Sequence, residues 1–530
     1  MRQQGVAPLS RGTAGRWRLP LQPLALLVIG VAALALRLWP LCHYPLDFQD
    51  EGAYWQSLRA MAAGQPLFSV VFSSQPPFFL LGVFPFYLLF GQTLVAARLG
   101  VVLYSLLGLA ASYYIGRAVA GRWAGVIACA LLAVDPLYLA ESRTLQAEMP
   151  SEALALAGVA LAAVAIGRAG AQRRWRAAAS GVVLGLGVLT KLFDLGALAP
   201  AALYLAAPLF TTLRDKRGRR EGLREALRLV VPDLLLLAAG FVVACAAVLA
   251  PFFPVRGLVY DQVVRFHLVA EHTHALGPGG LLHNVGVIRD NLLGYYSIPS
   301  LLLVLAGVAL AVWRRAWTFA PLFVWLVISL GLLVRQQPLI WHHVVLLAPL
   351  LALIAGAALP LLFTPRSRPL AHVQEEGSRG GAGIRAYALV ALIGVAAFTS
   401  LWQSVDQNRF RVDTNPPPAA LQRQMARVLH DHTRPGELVI TDGQYIAGLA
   451  GRSVPGELVD TSAVRIATGV IDPRYFSLRR LEDIIARDHV RTVLFATGRL
   501  DGVLYGFRHW VEQRYRLVAR FGKKDALYQR

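Results

Sequence analysis

Long apolar stretches recur along most of the chain, each close to the roughly 20 residues that cross a bilayer as a helix. Short polar or basic segments separate them. The stretches predict spans near residues 20–40, 96–116, 123–140, 150–167, 178–190, 193–210, 229–251, 297–312, 317–334, 342–361 and 386–402. The pattern therefore predicts a mainly α, polytopic membrane protein with about 11 transmembrane helices.

Clusters of Lys and Arg occupy six of the intervening segments and set the expected orientation. They are Arg2, Arg11, Arg16 and Arg18; Arg117 and Arg122; Arg168, Arg173, Arg174 and Arg176; Lys216, Arg217, Arg219 and Arg220; Arg314 and Arg315; and Arg366, Arg368, Arg379 and Arg385. Because cytoplasmic loops carry the excess of basic residues, all six are expected inside. This parity requires that residues 77–90, a short segment containing Pro85, form an interfacial helix and not a span. The outer side then receives residues 42–95, 141–149, 252–296 and 335–341, and everything after 404.

The end of the chain differs in kind. Residues 404–530 are more polar, and short apolar runs at 438–440 and 492–495 alternate with a helical stretch at 478–487. These patterns predict a small extracytoplasmic α/β domain. Asp442, Asp460 and Asp472 fall at expected turns and are interpreted as structural. The predicted organisation is a cytoplasmic tail (1–19), a transmembrane catalytic domain (20–403) and an outer α/β domain (404–530).

Composition excludes two classes of protein. The formal net charge is +21, but the bases lie in short loops beside apolar stretches, so the charge reports membrane orientation and no nucleic-acid partner is expected. The three cysteines form no C-x-x-C motif, which argues against a cysteine zinc site or a disulfide framework.

Three acids lie where apolar stretches end on the predicted outer side. Asp50 and Glu51 follow the first span, and Glu148 precedes a later one. Taken alone, such an acid more often caps a helix, and Glu148 could instead pair with Arg143. A membrane chain with only 31 acidic residues has few carboxylates to place near lipid, so these three are candidates for chemistry at the membrane surface.

The motifs around these acids resemble those of a known superfamily. They are D-E-x-x-Y at 50–54, Q-P-P-F at 75–78, A-A-R-L at 96–99, G-R-x-x-x-G-R-x-A-G at 116–125, S-R-T-x-x-x-E-M-P at 142–150, L-G-L-G-V-L-T-K at 184–191 and V-V-L-L-A-P-L-L-A-L-I-A at 344–355. In order and spacing, over residues 20–360, they are similar to the GT-C membrane glycosyltransferases. The nearest branch contains the protein O-mannosyltransferases and the lipid A aminoarabinose transferases.

The resemblance implies a glycosyltransferase that moves a sugar from a polyprenyl-phosphate carrier to an acceptor hydroxyl of a protein, lipid or glycan. Asp50 matches the first-loop aspartate expected to act as general base or to orient the acceptor, with Glu51 beside it. Glu148 stands where the superfamily places an acid in the second outer loop. A single displacement inverts the anomeric centre and needs no second nucleophilic carboxylate.

The departing phosphate needs cations, and the candidates are Lys191, Arg265, Arg335, His342 and His343. The substrate pocket is expected to include Tyr54, Gln75, Arg98 and Arg143. Lys191 could instead extend to the lipid headgroups. His342 and His343 depart from the Lys or Tyr common in the superfamily, and Gln75 replaces a basic residue or His. No cofactor is required, although a divalent ion (Mg, Mn or Zn) held by Asp50 and Glu148 is compatible with these acids.

Two other functions compete with the enzyme: a flippase or transporter of lipid-linked sugars, and a noncatalytic glycan-binding membrane protein. A transporter should place ionisable groups near mid-membrane, whereas here most of them lie at outer helix ends. A binding module would not need acids from two outer loops to converge. We therefore expect a multi-pass glycosyltransferase of the cell membrane, with its active site on the outer side, in contact with membrane lipids, a polyprenyl-phosphate sugar and an acceptor.

Overall fold

The computed structural model describes residues 21–39, 41, 50–214, 219–273, 279–363, 383–414, 418–502, 504 and 506–530. The first basic cluster and parts of the fourth and sixth lie outside the described residues. The α-helices are α1 Leu21–Leu38, α2 Asp50–Ala62, α3 Pro77–Leu89, α4 Leu94–Ala120, α5 Arg122–Ala133, α6 Pro136–Glu141, α7 Glu148–Val164, α8 Gly170–Val188, α9 Leu198–Leu205, α10 Ala207–Arg214, α11 Arg219–Leu249, α12 Arg256–Tyr260, α13 Phe266–Thr273, α14 Gly280–Tyr295, α15 Ile298–Trp313, α16 Ala320–Arg335, α17 Ala348–Gly356, α18 Ala358–Phe363, α19 Gly383–Thr414, α20 Ala419–His432, α21 Gln444–Leu449, α22 Ala463–Ile471, α23 Leu478–Arg487, α24 Arg499–Gly502 and α25 Phe507–Glu512.

Short helices of other types connect several of these elements. The 3-10 segments are Leu192–Ala197, Ala250–Val255, Trp317–Phe319, Trp341–Leu347 and Gly456–Leu458, and Asp261–Arg265 forms a π-helix. The predicted outer loop at 252–296 is therefore largely helical. Residues 77–90 contain the 13-residue helix α3 with Pro85 inside it, a length short of the roughly 20 residues of a span.

Six helical segments within the described residues are long and apolar enough to cross a membrane. They are Leu21–Leu38, Leu94–Ala120, Glu221–His272, Trp317–Arg335, Trp341–Phe363 and Tyr387–Val405. Two further pairs reach this length only together and are bent, by 49° at Leu192–Leu205 with Ala207–Leu213 and by 113° at Gly280–Tyr295 with Ile298–Trp313. By this measure the spans number six to eight. The predicted 11 include shorter helices, such as α5, which has 12 residues.

The outward faces of these helices are apolar. Leu27, Val28, Leu235, Val242 and Val327 are each between 59% and 68% exposed. An aqueous surface rarely presents so broad an apolar area, whereas hydrocarbon favours it and the helices satisfy their own backbone groups. The protein is therefore a multi-pass membrane protein, as the hydropathy pattern predicted.

The C-terminal part folds around a four-stranded sheet. The strands are β1 Val439–Thr441, β2 Thr492–Phe495, β3 Arg516–Arg520 and β4 Ala526–Gln529. Their order is β1-β2-β4-β3, with β1 and β2 parallel and both β4 contacts antiparallel. The runs predicted as strands correspond to β1 and β2, and the predicted helix corresponds to α23, which confirms the α/β character. The predicted boundary at 404 lies within α19, which continues to Thr414.

This C-terminal domain docks on α2, the helix that begins with Asp50. The buried Gln56 amide donates to the backbone oxygens of Gln444 and Arg452, each at 3.1 Å. Close packing adds to this contact, because a Cβ on Gly52 would lie 2.5 Å from the Tyr445 nitrogen. A side chain at position 52 would therefore push the domain away. The position of the Asp50 helix thus depends on the domain as well as on the membrane helices.

Candidate active site

Glu51 lies in a buried ion pair that joins several segments. The guanidinium of Arg98, near the start of α4, donates to both carboxylate oxygens, from Nη2 at 2.6 Å and from Nε at 2.8 Å. The Leu145 backbone N–H donates to the same carboxylate at 2.8 Å, and Arg98 also donates to the Leu41 oxygen at 2.9 Å. Glu51 is 0% and Arg98 2% exposed. This geometry, named here the Glu51 clamp, ties α2 to α4 and to the connection before α7.

Asp50 occupies the residue before the clamp, and it is only half-buried. Both acids stand in the first turn of α2, where the positive end of the helix dipole stabilises carboxylates. Tyr54 follows one turn later, and its ring meets Phe79 of α3 edge-on at 4.7 Å. Burial raises the pKa of Tyr54 well above its usual value, and the charges of Asp50, Glu148 and Asp460 raise it further. The charges of three carboxylates from separate parts of the chain therefore act on Tyr54.

Glu148 is the centre of a second buried group, named here the Glu148 cluster, which comprises Glu148, Lys191, His342 and His343. The Lys191 ammonium contacts Oε1 of Glu148, and the Nε2 atoms of His342 and His343 lie 3.3 Å and 3.6 Å from the same oxygen. The two imidazoles meet edge-on at 4.6 Å. All four residues are at least nine-tenths buried.

Local backbone breaks bring these four side chains together. Glu148 is the first residue of α7, and Lys191 adopts an extended conformation (φ −154°, ψ 133°) between α8 and the 3-10 helix Leu192–Ala197. His342 and His343 lie in the 3-10 helix Trp341–Leu347, which precedes α17. Each side chain is thus presented at a helix end and not along a lipid-facing surface, which agrees with the cost of an unpaired charge inside a membrane.

The other sequence candidates have different surroundings. Arg265 is about one-third exposed and lies 3.7 Å from Asp261 and 3.4 Å from Asp472, so it links the π-helix Asp261–Arg265 to the C-terminal domain. Arg335 ends α16 and is exposed. Arg143 is buried and donates from Nε to the Leu139 oxygen at 3.0 Å, which ties it to the helix before it.

Gln75 forms hydrogen bonds through both its backbone and its side chain. Its backbone oxygen accepts from the Ser73 hydroxyl at 3.0 Å, and its side chain lies within hydrogen-bonding reach of Tyr54. This places the residue before the two prolines next to the group of carboxylates around Tyr54. The structure therefore places Gln75 beside Tyr54, with Asp50 one turn before Tyr54 in α2.

Three acids near the site were not predicted from the sequence. Asp460 was interpreted as a turn residue, yet its charge acts on Tyr54 and also on His267. Glu152 and Asp194 are 1% and 2% exposed, next to the Glu148 cluster in sequence. The four-residue spacing from Glu148 to Glu152, which places both on one face of α7, was the available signal for Glu152. Nothing local marked Asp460, because its proximity depends on how the C-terminal domain docks.

The Glu148 cluster contains side-chain atoms of the kind that bind a metal ion. One carboxylate oxygen and two imidazole nitrogens lie within 4.8 Å of one another, a set that suits zinc. The Lys191 ammonium, however, contacts the same oxygen that both imidazoles approach. A divalent ion there would meet a positive charge at contact distance, so the present arrangement does not fit a metal unless Lys191 moves. Among the described residues, Asp50 is not one of the donors of this group, and its predicted partnership with Glu148 at an ion stays a prediction.

The predicted resemblance to membrane glycosyltransferases agrees with two comparisons, one with a protein family and one with solved structures. The family described as dolichyl-phosphate-mannose-protein mannosyltransferase matches residues 74–250. No curated protein sequence matches the chain.

Solved structures extend the likeness over nearly the whole chain. ArnT from Cupriavidus metallidurans, bound to undecaprenyl phosphate, is 17% identical with a TM-score of 0.59, covering 96% of this chain and 97% of that one. The archaeal oligosaccharyltransferase AglB from Archaeoglobus fulgidus, with an inhibitory peptide and a dolichol-phosphate, is 14% identical with a TM-score of 0.55, covering 94% and 72%. An Archaeoglobus fulgidus oligosaccharyltransferase structure with Zn and sulfate is 13% identical, with a TM-score of 0.52, covering 95% and 72%. At these identities the likeness concerns the fold.

Proposed function

We propose that this protein transfers a sugar from a polyprenyl-phosphate carrier to an acceptor hydroxyl, with inversion at the anomeric carbon. The observation that carries the proposal is that the half-buried Asp50 carboxylate and the buried Glu148 cluster both act by charge on the same residue, Tyr54. A half-buried carboxylate, and a buried ammonium with imidazole groups beside it, are the two kinds of site that such a displacement needs. The undecaprenyl phosphate and dolichol-phosphate in the structures of ArnT and AglB support a lipid-linked donor.

In the proposed reaction the Asp50 carboxylate accepts the proton of the acceptor hydroxyl. The hydroxyl oxygen attacks the anomeric carbon and forms the new glycosidic bond. The bond from that carbon to the phosphate oxygen breaks on the opposite side, and the polyprenyl phosphate leaves with the electron pair. Lys191, with His342 or His343, stabilises the negative charge on the departing phosphate.

Glu148 has a different role in this scheme. Its carboxylate holds Lys191 in place and keeps the buried charge balanced when no donor is bound. When the donor phosphate enters, the Lys191 ammonium, which has three N–H donors, can contact both the phosphate and Glu148. Glu51 is fully engaged by Arg98 and Leu145, so we assign it to holding Asp50 in position and not to proton transfer.

The proposal can be tested directly. Purified protein in nanodiscs is given a panel of polyprenyl-phosphate monosaccharides with labelled sugar, together with cell-envelope acceptors. We expect the label to move from the lipid fraction to an acceptor, with the opposite anomeric configuration by NMR, and Asp50→Asn to serve as the inactive control. Efficient transfer from a soluble sugar nucleotide without carrier, or movement of the lipid-linked sugar across vesicles without transfer, would contradict the proposal.

We also propose that the protein lies in the cell membrane with Asp50 and the C-terminal domain on the extracytoplasmic side. The basic turn at Arg117 and Arg122 supports this orientation. A cysteine introduced at Arg117 should escape an impermeant thiol reagent in intact cells, and one at the exposed Gln513 should react. The reverse labelling pattern would invert the topology.

A further inference from the structure

A cleft lies where the C-terminal domain meets the first outer segment and the helices after residue 255. Its volume is about 240 Å³. The lining residues are Phe68, Ser69, Val70, Phe72, Leu258, Asp261, Gln262, Glu457, Arg465, Arg474, Tyr475 and Arg480. Three guanidinium groups and three aromatic rings thus face a space with two acids.

Each of these acids is paired. Asp261 lies 3.7 Å from Arg265, and Glu457 lies 3.7 Å from Arg480 and 3.1 Å from Arg487. The walls are also held in place, because the Gln262 amide donates to the Phe68 oxygen at 2.8 Å and accepts from the Ser73 N–H at 2.9 Å. The cleft is therefore built from residues that are fixed before any ligand arrives, which lowers the ordering cost of binding.

Arg465, unlike the two acids of the cleft, has no ion-pair partner among the described residues. It is 1% exposed, its guanidinium lies 3.6 Å from the centroid of the Phe72 ring, and Nη1 donates to the Asp460 backbone oxygen at 2.5 Å. Among the described residues its Nε has no hydrogen-bond partner, and no carboxylate lies within ion-pair distance of it. Burial lowers the pKa of Arg465 to about 10, although the charges of Asp460 and Glu457 oppose this. A buried guanidinium without an ion pair is costly unless an anion completes it.

The cleft is connected to the candidate active site through Asp460. The Asp460 backbone binds Arg465, while its carboxylate acts on Tyr54, whose other charged neighbours include Asp50. Asp460 thus contacts Arg465 through its backbone and acts on Tyr54 through its charge, so it links the cleft to the residues around Asp50.

We propose that this cleft is an acceptor subsite that binds an acidic glycan, with a carboxylate or phosphate on Arg465 and the sugar faces against the aromatic rings. Guanidinium forks match both anions, and aromatic rings provide flat apolar faces for sugar rings. Arg474 and Arg480, whose side chains are 57% and 42% exposed, form the rim. The assignment to the acceptor rests on the proposed function, whereas anion binding in the cleft does not.

The test uses the full chain with its native cysteines changed to serine and a single new cysteine, introduced by Ser69→Cys, in the cleft. The rates of labelling by an anionic and a cationic methanethiosulfonate are measured, and Gln513→Cys provides an exposed site outside the cleft. We expect the ratio of anionic to cationic rates to be several-fold higher at position 69. Arg465→Gln, and separately Arg480→Gln, should lower this ratio, whereas Arg516→Gln on an exposed strand should not.

Protection identifies the ligand chemistry. D-glucuronate, inorganic phosphate and D-glucose are added as probes at equal concentration. Protection of the thiol at position 69 by glucuronate alone indicates a uronate-bearing glycan, and protection by phosphate alone indicates a phosphorylated one; either supports the proposal. No preference for the anionic reagent together with no protection by either anion, in chains that remain monodisperse, would overturn it. Labelling needs neither donor nor transfer, so this result is independent of whether the proposed reaction is found.

Discussion

Two buried charged groups, the Glu51 clamp and the Glu148 cluster, lie at helix ends and differ in how their carboxylates are used. In the clamp, Arg98 and the Leu145 N–H engage both oxygens of Glu51 at 2.6–2.8 Å. In the cluster, one ammonium and two imidazoles gather about a single oxygen of Glu148. The clamp is a saturated bidentate pair, typical of structure, whereas the cluster concentrates donors that a second anion could share.

Asp50 and Glu51, although adjacent, have different surroundings. Asp50 and Glu51 read as one acidic motif, but Glu51 is fully buried and Asp50 is only half-buried beside Tyr54. Successive residues of a helix point about 100° apart, so one can anchor the helix while the other faces a substrate. The clamp thus positions Asp50, and the cluster is expected to position the donor.

The largest effect is expected from breaking the clamp. Arg98→Met leaves the Glu51 carboxylate buried without its partner, which costs about 3–5 kcal/mol. We expect a clear fall in the thermal unfolding midpoint of the purified protein and loss of transfer. The double variant Arg98→Met with Glu51→Leu removes the orphaned charge and should recover much of the stability. A single variant as stable as the parent would show that the clamp does not hold the fold.

Asp50→Asn should separate catalysis from stability. The amide keeps the size of the carboxylate but cannot accept the acceptor proton, so we expect transfer to fall by roughly 10²–10⁴-fold. The unfolding midpoint should stay close to that of the parent, since Asp50 is half-buried. Glu51→Gln is the matched neighbour and should lower the midpoint. Normal turnover by folded Asp50→Asn protein would remove Asp50 from the reaction.

The sequence predicts features that depend on neighbouring residues, but it does not predict contacts between residues that are far apart in the chain. The membrane helices, β1, β2 and α23 follow from local hydropathy and periodicity, which the structure confirms. Acids at helix ends were also recognisable, because ionised groups are scarce in membrane chains. Partners were not: Glu51 meets Arg98 across 47 residues and Glu148 meets Lys191 across 43, and no local pattern encodes such pairings.

The span count shows a second limit. The apolar segment near α5 has the composition of a span but forms a 12-residue helix, and the bend of 113° between α14 and α15 divides another apolar region. Hydropathy measures how well a segment suits an apolar environment. It does not determine the residue at which its helix ends. Asp460 escaped prediction for the related reason that only domain docking brings it to Tyr54.

Lys191→Met tests the cluster as a donor site. The change keeps an unbranched apolar stem and deletes the charge that contacts Glu148 and, as proposed, the donor phosphate. A hydrogen bond to a charged group contributes roughly 1.5–3 kcal/mol, so KM for the lipid-linked donor should rise by about 10–150-fold. The KM for the acceptor should change far less. Equal changes in both constants would show that Lys191 acts on the fold and not on the donor.

Chelation should have a smaller effect. Because Lys191 contacts the oxygen that a metal would need, we expect less than a twofold change in transfer after treatment with a strong chelator. The zinc in a structure of similar fold makes this a necessary measurement. In Lys191→Ala the three donor atoms remain, so zinc binding should become detectable by calorimetry. Loss of parent activity on chelation, restored by zinc, would place a metal in the cluster after all.

The smallest effect is expected at Arg335, a sequence candidate for the donor phosphate. It ends α16 with its side chain exposed, in contrast to Lys191, which is 9% exposed. Water and salt screen the charge of an exposed cation. Arg335 therefore contributes little to the binding of a phosphate that the buried Glu148 cluster holds. We therefore expect Arg335→Gln to leave the donor KM within twofold of the parent, as for Arg289→Gln, an exposed arginine on α14. If Arg335→Gln raises the donor KM as strongly as Lys191→Met while Arg289→Gln does not, the donor phosphate extends to the end of α16 and the contrast between buried and exposed cations is wrong.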